Sequence, residues 1–342
     1  MSDISRDPVS SSAVPRPRRP RQIRPLGTRW QPSPEPLSIG EIPPLRNPML
    51  IMAFEGWNDA GEAASMAAGL IVTQHRGTKI ASVDPEEFFV FSDTRPHVRL
   101  TSRGRRRIDW PANEFFACRT PGTDPAARDL VVLRGTEPDL RWRTFVALVL
   151  EVAVQCEVEL VVTLGALYGD IPHTMPPRVS GSAMHVDRHQ LLRDVHYPPS
   201  RYEGQTGIVS VLGNRFADAG YPVVSLWGWA PHYITATPNP VVASRIIREV
   251  SRLLEIKVDT EALDQEAREF DQQVREAVEH DPEAVAYVQE LERQAREEDE
   301  VEREDDQDRP ARAGGELPSG AAMVDALEEF LRSRRRPPRG HE

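Results

Sequence analysis

The chain has 342 residues, 39% of them hydrophobic and 28% charged, with a formal net charge of −11. That length suits one α/β core with extensions, and the low apolar fraction marks part of the chain as solvated. The acidic balance argues against general nucleic-acid affinity, because phosphate backbones need a basic surface.

Residues 1–47 read as a disordered Pro/Arg-rich tail. The first 48 positions hold eleven of the 31 prolines, and proline removes backbone donors and fixes φ. The run Arg16-Pro17-Arg18-Arg19-Pro20-Arg21 is locally basic and reads as a solvated tail rather than an RNA contact. Residues 48–257 form the core domain. Apolar runs at 49–54, 88–91, 115–118, 130–133, 160–164 and 223–229 predict strands, several of them apolar throughout, as strands buried on both faces must be. Amphipathic stretches at 60–75, 142–156, 207–219 and 241–256 predict helices. This alternation predicts an α/β fold with a mainly parallel sheet covered by helices. Residues 84–119 lack clear helices and predict an antiparallel excursion or edge hairpin.

From 258 to 296 two apolar stripes joined by Asp281-Pro282 predict a helical hairpin. Residues 297–316 read as an acidic linker. A last amphipathic helix is expected over 317–336, with Met323, Leu327, Phe330 and Leu331 on one face. A helix this short is marginal alone, so that face is expected to dock on a partner, on the core or on a sister subunit.

Polar residues gather at predicted strand ends. The turn Glu55-Gly56-Trp57-Asn58-Asp59 leads into a helix, with Asp59 and Glu62 at capping-box spacing. It matches neither the dinucleotide nor the P-loop glycine pattern, and its acids repel an unshielded phosphate. In a parallel sheet, Glu55, Asn58, Asp59, Glu137, His173 and His232 fall at the ends where ligands bind. They are candidates for one crevice, where carboxylates and histidines can serve as acid and base. The simpler expectation is that each fixes its own loop through backbone hydrogen bonds.

His185 and His189 stand at i and i+4, a zinc-ligand spacing on a helix, but the glutamate of the metalloprotease motif is replaced by Val186. No metal and no cofactor is expected. Two cysteines, Cys118 and Cys156, argue against a disulfide framework and are expected to pack in the core. No G-x-S-x-G elbow places a serine nucleophile. Trp57, Trp110, Trp142, Trp227 and Trp229 are expected as core or interface anchors. No apolar run reaches the roughly 20 residues of a membrane span, and no secretory signal is read at the basic N-terminus, so a cytoplasmic location without membrane contact is expected.

The same segments carry a family resemblance. They are Phe54-Glu55-Gly56-Trp57-Asn58-Asp59-Ala60-Gly61, then Asp129-Leu130-Val131-Val132-Leu133-Arg134-Gly135-Thr136-Glu137-Pro138, then Thr163-Leu164-Gly165-Ala166-Leu167 with Pro172-His173-Thr174. Arg141-Trp142-Arg143, Tyr202-Glu203-Gly204 with Thr206-Gly207, Ser225-Leu226-Trp227, Pro231-His232-Tyr233, Pro238-Asn239-Pro240 and the terminal stretch Leu317–Arg332 complete the set. The chain resembles the bacterial, actinobacterial-type branch of the proteasome assembly chaperone 2 family. That resemblance implies a nucleoside-phosphorylase-like three-layer sandwich and self-association as trimers. It also implies proteasome subunits as partners. Its eukaryotic members dock through a hydrophobic–Tyr–any tail, whereas this sequence closes with Arg339-Gly340-His341-Glu342. The expected function is a non-enzymatic protein-binding oligomer in proteasome or other complex assembly. The alternative is a small-molecule enzyme or sensor taking a nucleoside-like ligand in the strand-end crevice.

Overall fold

The computed structural model describes residues 35–308, except 123, 125 and 194–196. Ten strands and seven helices follow in chain order: β1 Leu37–Ile39, β2 Met49–Glu55, α1 Ala63–Gln74, β3 Thr78–Val83, β4 His97–Leu100, β5 Arg106–Asp109, β6 Asn113–Cys118, β7 Leu130–Thr136, α2 Trp142–Gln155, β8 Leu160–Gly169, β9 Val179–Met184, α3 Gln190–Arg193, α4 Ile208–Asp218, β10 Val223–Pro231, α5 Pro240–Leu254, α6 Glu261–Glu279 and α7 Pro282–Asp308. Eight strands form one sheet in the order β1-β3-β6-β7-β2-β8-β10-β9. Its centre, β7-β2-β8-β10, is parallel. Antiparallel strands flank it on both sides. Sheet and helices make the mixed, mostly parallel α/β fold expected from the sequence.

Strand β2 shows why the centre sits where it does. Alternate side chains point to opposite faces. Met49, Ile51 and Ala53 pack into the layer holding α1 and α5, and Leu50, Met52 and Phe54 into the layer holding α2 and α4. All six are buried, which is why the strand is a continuous apolar run.

Four expectations change. The run 88–91 is not a strand: Pro85 opens a 3-10 turn, capped by Asp84, whose carboxylate accepts from the Glu86 amide. Phe88 then folds inward, its ring 5.7 Å from that of Phe145. The tail expected over 1–47 also meets ordered backbone sooner. Residues Leu37–Ile39 pair with β3, and Arg46 forks onto buried Asp129, with Nε 3.0 Å from Oδ2 and Nη2 2.7 Å from Oδ1. An edge strand tolerates the neighbouring prolines. The linker expected from 297 is helical as far as Asp308. Ladders of arginine and glutamate across one helical turn support it, among them Arg296–Glu292 at 3.0 Å. His185 and His189 do not share a helix. His185 precedes a 3-10 turn at φ +55° and its Nε2 meets the Ala217 carbonyl at 3.0 Å, while His189 Nδ1 accepts from the Leu191 amide.

The hairpin expected within 84–119 is present as the separate two-stranded ribbon β4–β5. No described helix is long and apolar enough to cross a membrane. The helix expected over 317–336, with Met323, Leu327, Phe330 and Leu331, lies outside the described residues.

Candidate functional site

The candidate residues divide into two groups at the C-terminal ends of the parallel strands. The first surrounds the turn after β2. The Ala166 amide on β8 donates to the Asn58 carbonyl at 2.8 Å, and the Glu137 amide donates to the Glu55 carbonyl at 2.9 Å, so the turn is stitched to both neighbouring strands. Gly56 sits at φ +129°, where a Cβ would come within 3.2 Å of the Glu137 side chain. Glu55 points outward and lies 3.6 Å from the Arg134 guanidinium. Trp57 is 60% exposed.

Asn58 is buried, and its Nδ2 donates to Glu137 Oε1 at 2.9 Å. The same oxygen accepts from the Ile208 amide, the first of α4, at 2.7 Å. The residue before Ile208 is Gly207, which has no side chain to cap the helix. Glu137 therefore supplies the cap from the loop after β7 and places negative charge at the positive end of the helix. Glycine is required at 207 because a Cβ there would lie 2.0 Å from Asn58 Nδ2.

Asp59 performs the same task for α1. Its carboxylate accepts from the Ala64 amide at 2.7 Å and from the Ser65 amide at 3.2 Å. The capping box with Glu62 does not form, because a 3-10 turn at Ala60–Glu62 intervenes and Glu62 adopts φ +53°. Burial pushes the Asp59 carboxyl up to about 6, against the opposing pull of its hydrogen bonds to Ser65 and Ala64; the Glu55 charge adds to the rise.

The second group lies under α7. The Tyr233 hydroxyl accepts from the His173 amide at 2.7 Å and stands 2.9 Å from His173 Nδ1. His232 Nδ1 is 3.0 Å from Asp170 Oδ1, and its Nε2 is 3.3 Å from the Tyr287 hydroxyl on α7. Edge-on ring contacts join His173 to Tyr233 and link His232, Tyr233 and Tyr287 at 5.6–6.0 Å. Thr174 donates to Glu292 at 2.6 Å, so α7 closes over these loops. Burial lowers the His173 pKa and pushes Tyr233 up to about 12. A cleft of about 30 Å³ beside His173 is lined mostly by apolar groups, among them Pro172, Met175, Pro231 and Phe270.

Between the groups runs Gly61. Its carbonyl accepts from the Asn239 amide at 2.7 Å, and its amide donates to the Tyr168 hydroxyl at 3.2 Å. Asn239 caps α5 through Oδ1 to the Val242 amide at 3.1 Å. The structure thus pairs Asn58 with Glu137 and His173 with the neighbour of His232. Asp59 turns into its own helix. Carboxylate oxygens held by backbone amides are poorly placed to take a substrate proton. Among the described residues, no cluster of histidine, cysteine and acidic side chains is arranged to hold a metal. Burial pushes the Cys118 thiol to about 12 and Cys156 to about 11, which leaves both unreactive.

The sequence marks Asn239 only as part of the family resemblance, and does not mark Tyr287 at all. Asn239 stands directly before Pro240, an N-cap signature. Tyr287 carries no such signal, since its role depends on where α7 docks.

The sequence pattern of the PAC2 family matches residues 53–278. The chain belongs to the PAC2 family. Two solved relatives share this PAC2 fold at TM-score 0.62: a PAC2 family protein from Streptomyces avermitilis, 38% identical, and a Mycobacterium tuberculosis proteasome-assembly chaperone homologue, 36% identical. Each alignment covers 70% of this chain and 99% of the relative. An archaeal proteasome activator from Pyrococcus furiosus, 19% identical at TM-score 0.55, matches 70% of this chain and 97% of its own and shares the fold. Among curated protein sequences none matches this chain. The PAC2 match spans both groups of strand-end residues, from the Phe54–Gly61 turn to α6.

Proposed function

We propose that this PAC2 protein is a non-enzymatic, self-associating, cytoplasmic protein-binding subunit that acts in the assembly of proteasomes or another complex. The observation that carries the reading is the use of the strand-end polar groups. Asp59, Glu137 and Asn239 are occupied in capping α1, α4 and α5, so the crevice holds a scaffold rather than an acid–base pair. The actinobacterial relative described as a proteasome-assembly chaperone homologue supports the choice of partner. The small cleft beside His173 weighs against the nucleoside reading, because ligand pockets are roughly 300–1,000 Å³. Self-association as trimers and docking through Met323, Leu327, Phe330 and Leu331 belong to the same proposal.

The test is co-elution of the purified full chain with the α and β subunits of an actinobacterial proteasome during reassembly. Faster formation of complete particles, lost when residues 317–342 are removed, is the expected result. Unchanged assembly together with a thermal shift from a nucleoside or phosphate ester would replace this reading with the small-molecule one.

A further inference from the structure

Charge is divided unevenly along the chain. Residues 261–308, the α6–α7 pair, hold 20 acids against 5 arginines, a net of −15 that exceeds the whole-chain value of −11. Residues 95–109, which include β4 and β5, hold 6 arginines against 1 aspartate, a net of +5. Arg99 and Arg107 pair with Asp109. Arg95, Arg103, Arg105 and Arg106 are exposed and make no ion pair among the described residues.

The ribbon also carries apolar side chains on one face. In its register Val98 lies opposite Ile108, and Leu100, next along that face, lies opposite Arg106. The three are 60%, 41% and 73% exposed, and Trp110 at the base is 41% exposed. A two-stranded ribbon is marginal in water unless something covers it. Among the described residues, both of its strands pair only with each other. An exposed apolar strip rimmed by unpaired arginines fits an acidic amphipathic surface.

Position says which one. The ribbon joins the end of β3 to the start of β6, so it rises from the same end of the sheet as the strand-end turns. The acidic helix pair docks at that end too, but on the loops after β8 and β10. Strands β7 and β2 separate β6 from β8, a lateral offset of about 14 Å at roughly 4.8 Å per strand. Complementary surfaces on opposite flanks of one subunit make a head-to-tail contact, which gives a ring when its rotation closes and a filament when it does not.

We propose that the β4–β5 ribbon is a docking arm that seats on the α6–α7 helix pair of a second copy of this chain. Leu100, Val98 and Ile108 meet the helices, and Arg103, Arg105 and Arg106 meet their acids. The proposal rests on the self-association proposed above and adds where the copies touch.

The experiment uses the full chain with Leu100 replaced by the photo-reactive p-benzoylphenylalanine, mixed with nitrogen-15-labelled unmodified chain. Light is applied at 50 mM and at 1 M salt, mass is followed by light scattering, and cross-linked peptides are mapped by mass spectrometry. Links from light residue 100 to heavy peptides within 261–308 are expected, with yield falling at least tenfold at 1 M salt. The Arg103→Glu, Arg105→Glu, Arg106→Glu triple variant is expected to run as a monomer with an unchanged far-ultraviolet circular dichroism spectrum. An oligomer whose links fall elsewhere overturns the docking arm while leaving self-association intact. A monomeric wild type overturns both. Binding of single-stranded RNA through the same arginines, with no link between copies, assigns the ribbon to nucleic acid and overturns the proposal as well.

Discussion

Replacing Asp59 by asparagine isolates the effect of burying one carboxyl at a helix start. Burial pushes the group up to about 6 from its ordinary value of 3.8. A raised acid pKa means that the folded state holds a proton which the unfolded state has released. Folding is then most favoured below the unfolded pKa, and stability falls as pH rises through the interval between the two values. Two pKa units correspond to about 3 kcal/mol, of which about 2 kcal/mol develops between pH 4 and pH 7. Asparagine keeps one acceptor for the Ala64 amide and loses the one facing Ser65, a penalty that does not vary with pH. Urea unfolding of both proteins at pH 4, 5, 6 and 7 gives the test. The wild type should gain about 2 kcal/mol over Asp59→Asn on going from pH 7 to pH 4. A difference that stays flat, or that favours the wild type at high pH, refutes the claim that desolvation outweighs the two amide hydrogen bonds.

Three further outcomes follow from the same geometry. Glu137→Ala removes the α4 cap and strands the Asn58 amide, so it should cost about 2–4 kcal/mol in urea unfolding; Glu137→Gln, which retains an acceptor oxygen, should cost about 1 kcal/mol. Gly207→Ala drives a Cβ into the Asn58 side chain and should cost about 3 kcal/mol, with the largest amide shifts in an NMR spectrum at 58 and 137. Tyr287→Ala removes two ring contacts worth about 1 kcal/mol each. Limited trypsin digestion should then cut at Arg293 or Arg296 roughly thirtyfold faster, since cleavage follows the population of the opened helix.

The parallel centre of the sheet is legible in the sequence because burial on both faces forces unbroken apolar runs, as in β2 and β8. The flanks are not. Strand β9 reads VSGSAM, with glycine and serine where a buried strand would show branched residues. The ribbon β4–β5 is exposed and arginine-rich, so no alternation of burial marks it. The aromatic run at 88–91 misleads for the opposite reason: its rings are buried, but from a turn. The strand-end site is legible as a set of residues and illegible as a set of partners. Glu137 caps a helix that begins 71 positions later, and Asp59 skips its own turn to reach amides 5 and 6 residues on. Both depend on which strands become neighbours, and local pattern carries no record of that.

The positions of these acids account for what the strand ends do. In a parallel α/β sheet the helix starts beside the strand ends are anion sites, with amides and the helix dipole aimed at one place. Here the chain fills two of them with its own carboxylates, Asp59 on α1 and Glu137 on α4. A tethered carboxylate competes with free phosphate at a high effective concentration, and Asn58 and Gly207 close the space around Glu137. Two helix starts that could have bound an anion are thereby occupied. The features left facing outward from this end of the sheet are of a different kind: exposed Trp57 on the β2 turn, the arginine ribbon on one flank and the acidic helix pair on the other. Those are surfaces suited to other proteins. The net charge of −11 averages over them, because residues outside the α6–α7 pair sum to +4. Contacts between such oppositely charged surfaces gain from low ionic strength and are largely screened beyond a Debye length, about 10 Å at 0.1 M salt. On the proposed reading, this sequence builds a salt-dependent, protein-facing end of the sheet where the fold would otherwise offer a small-molecule site.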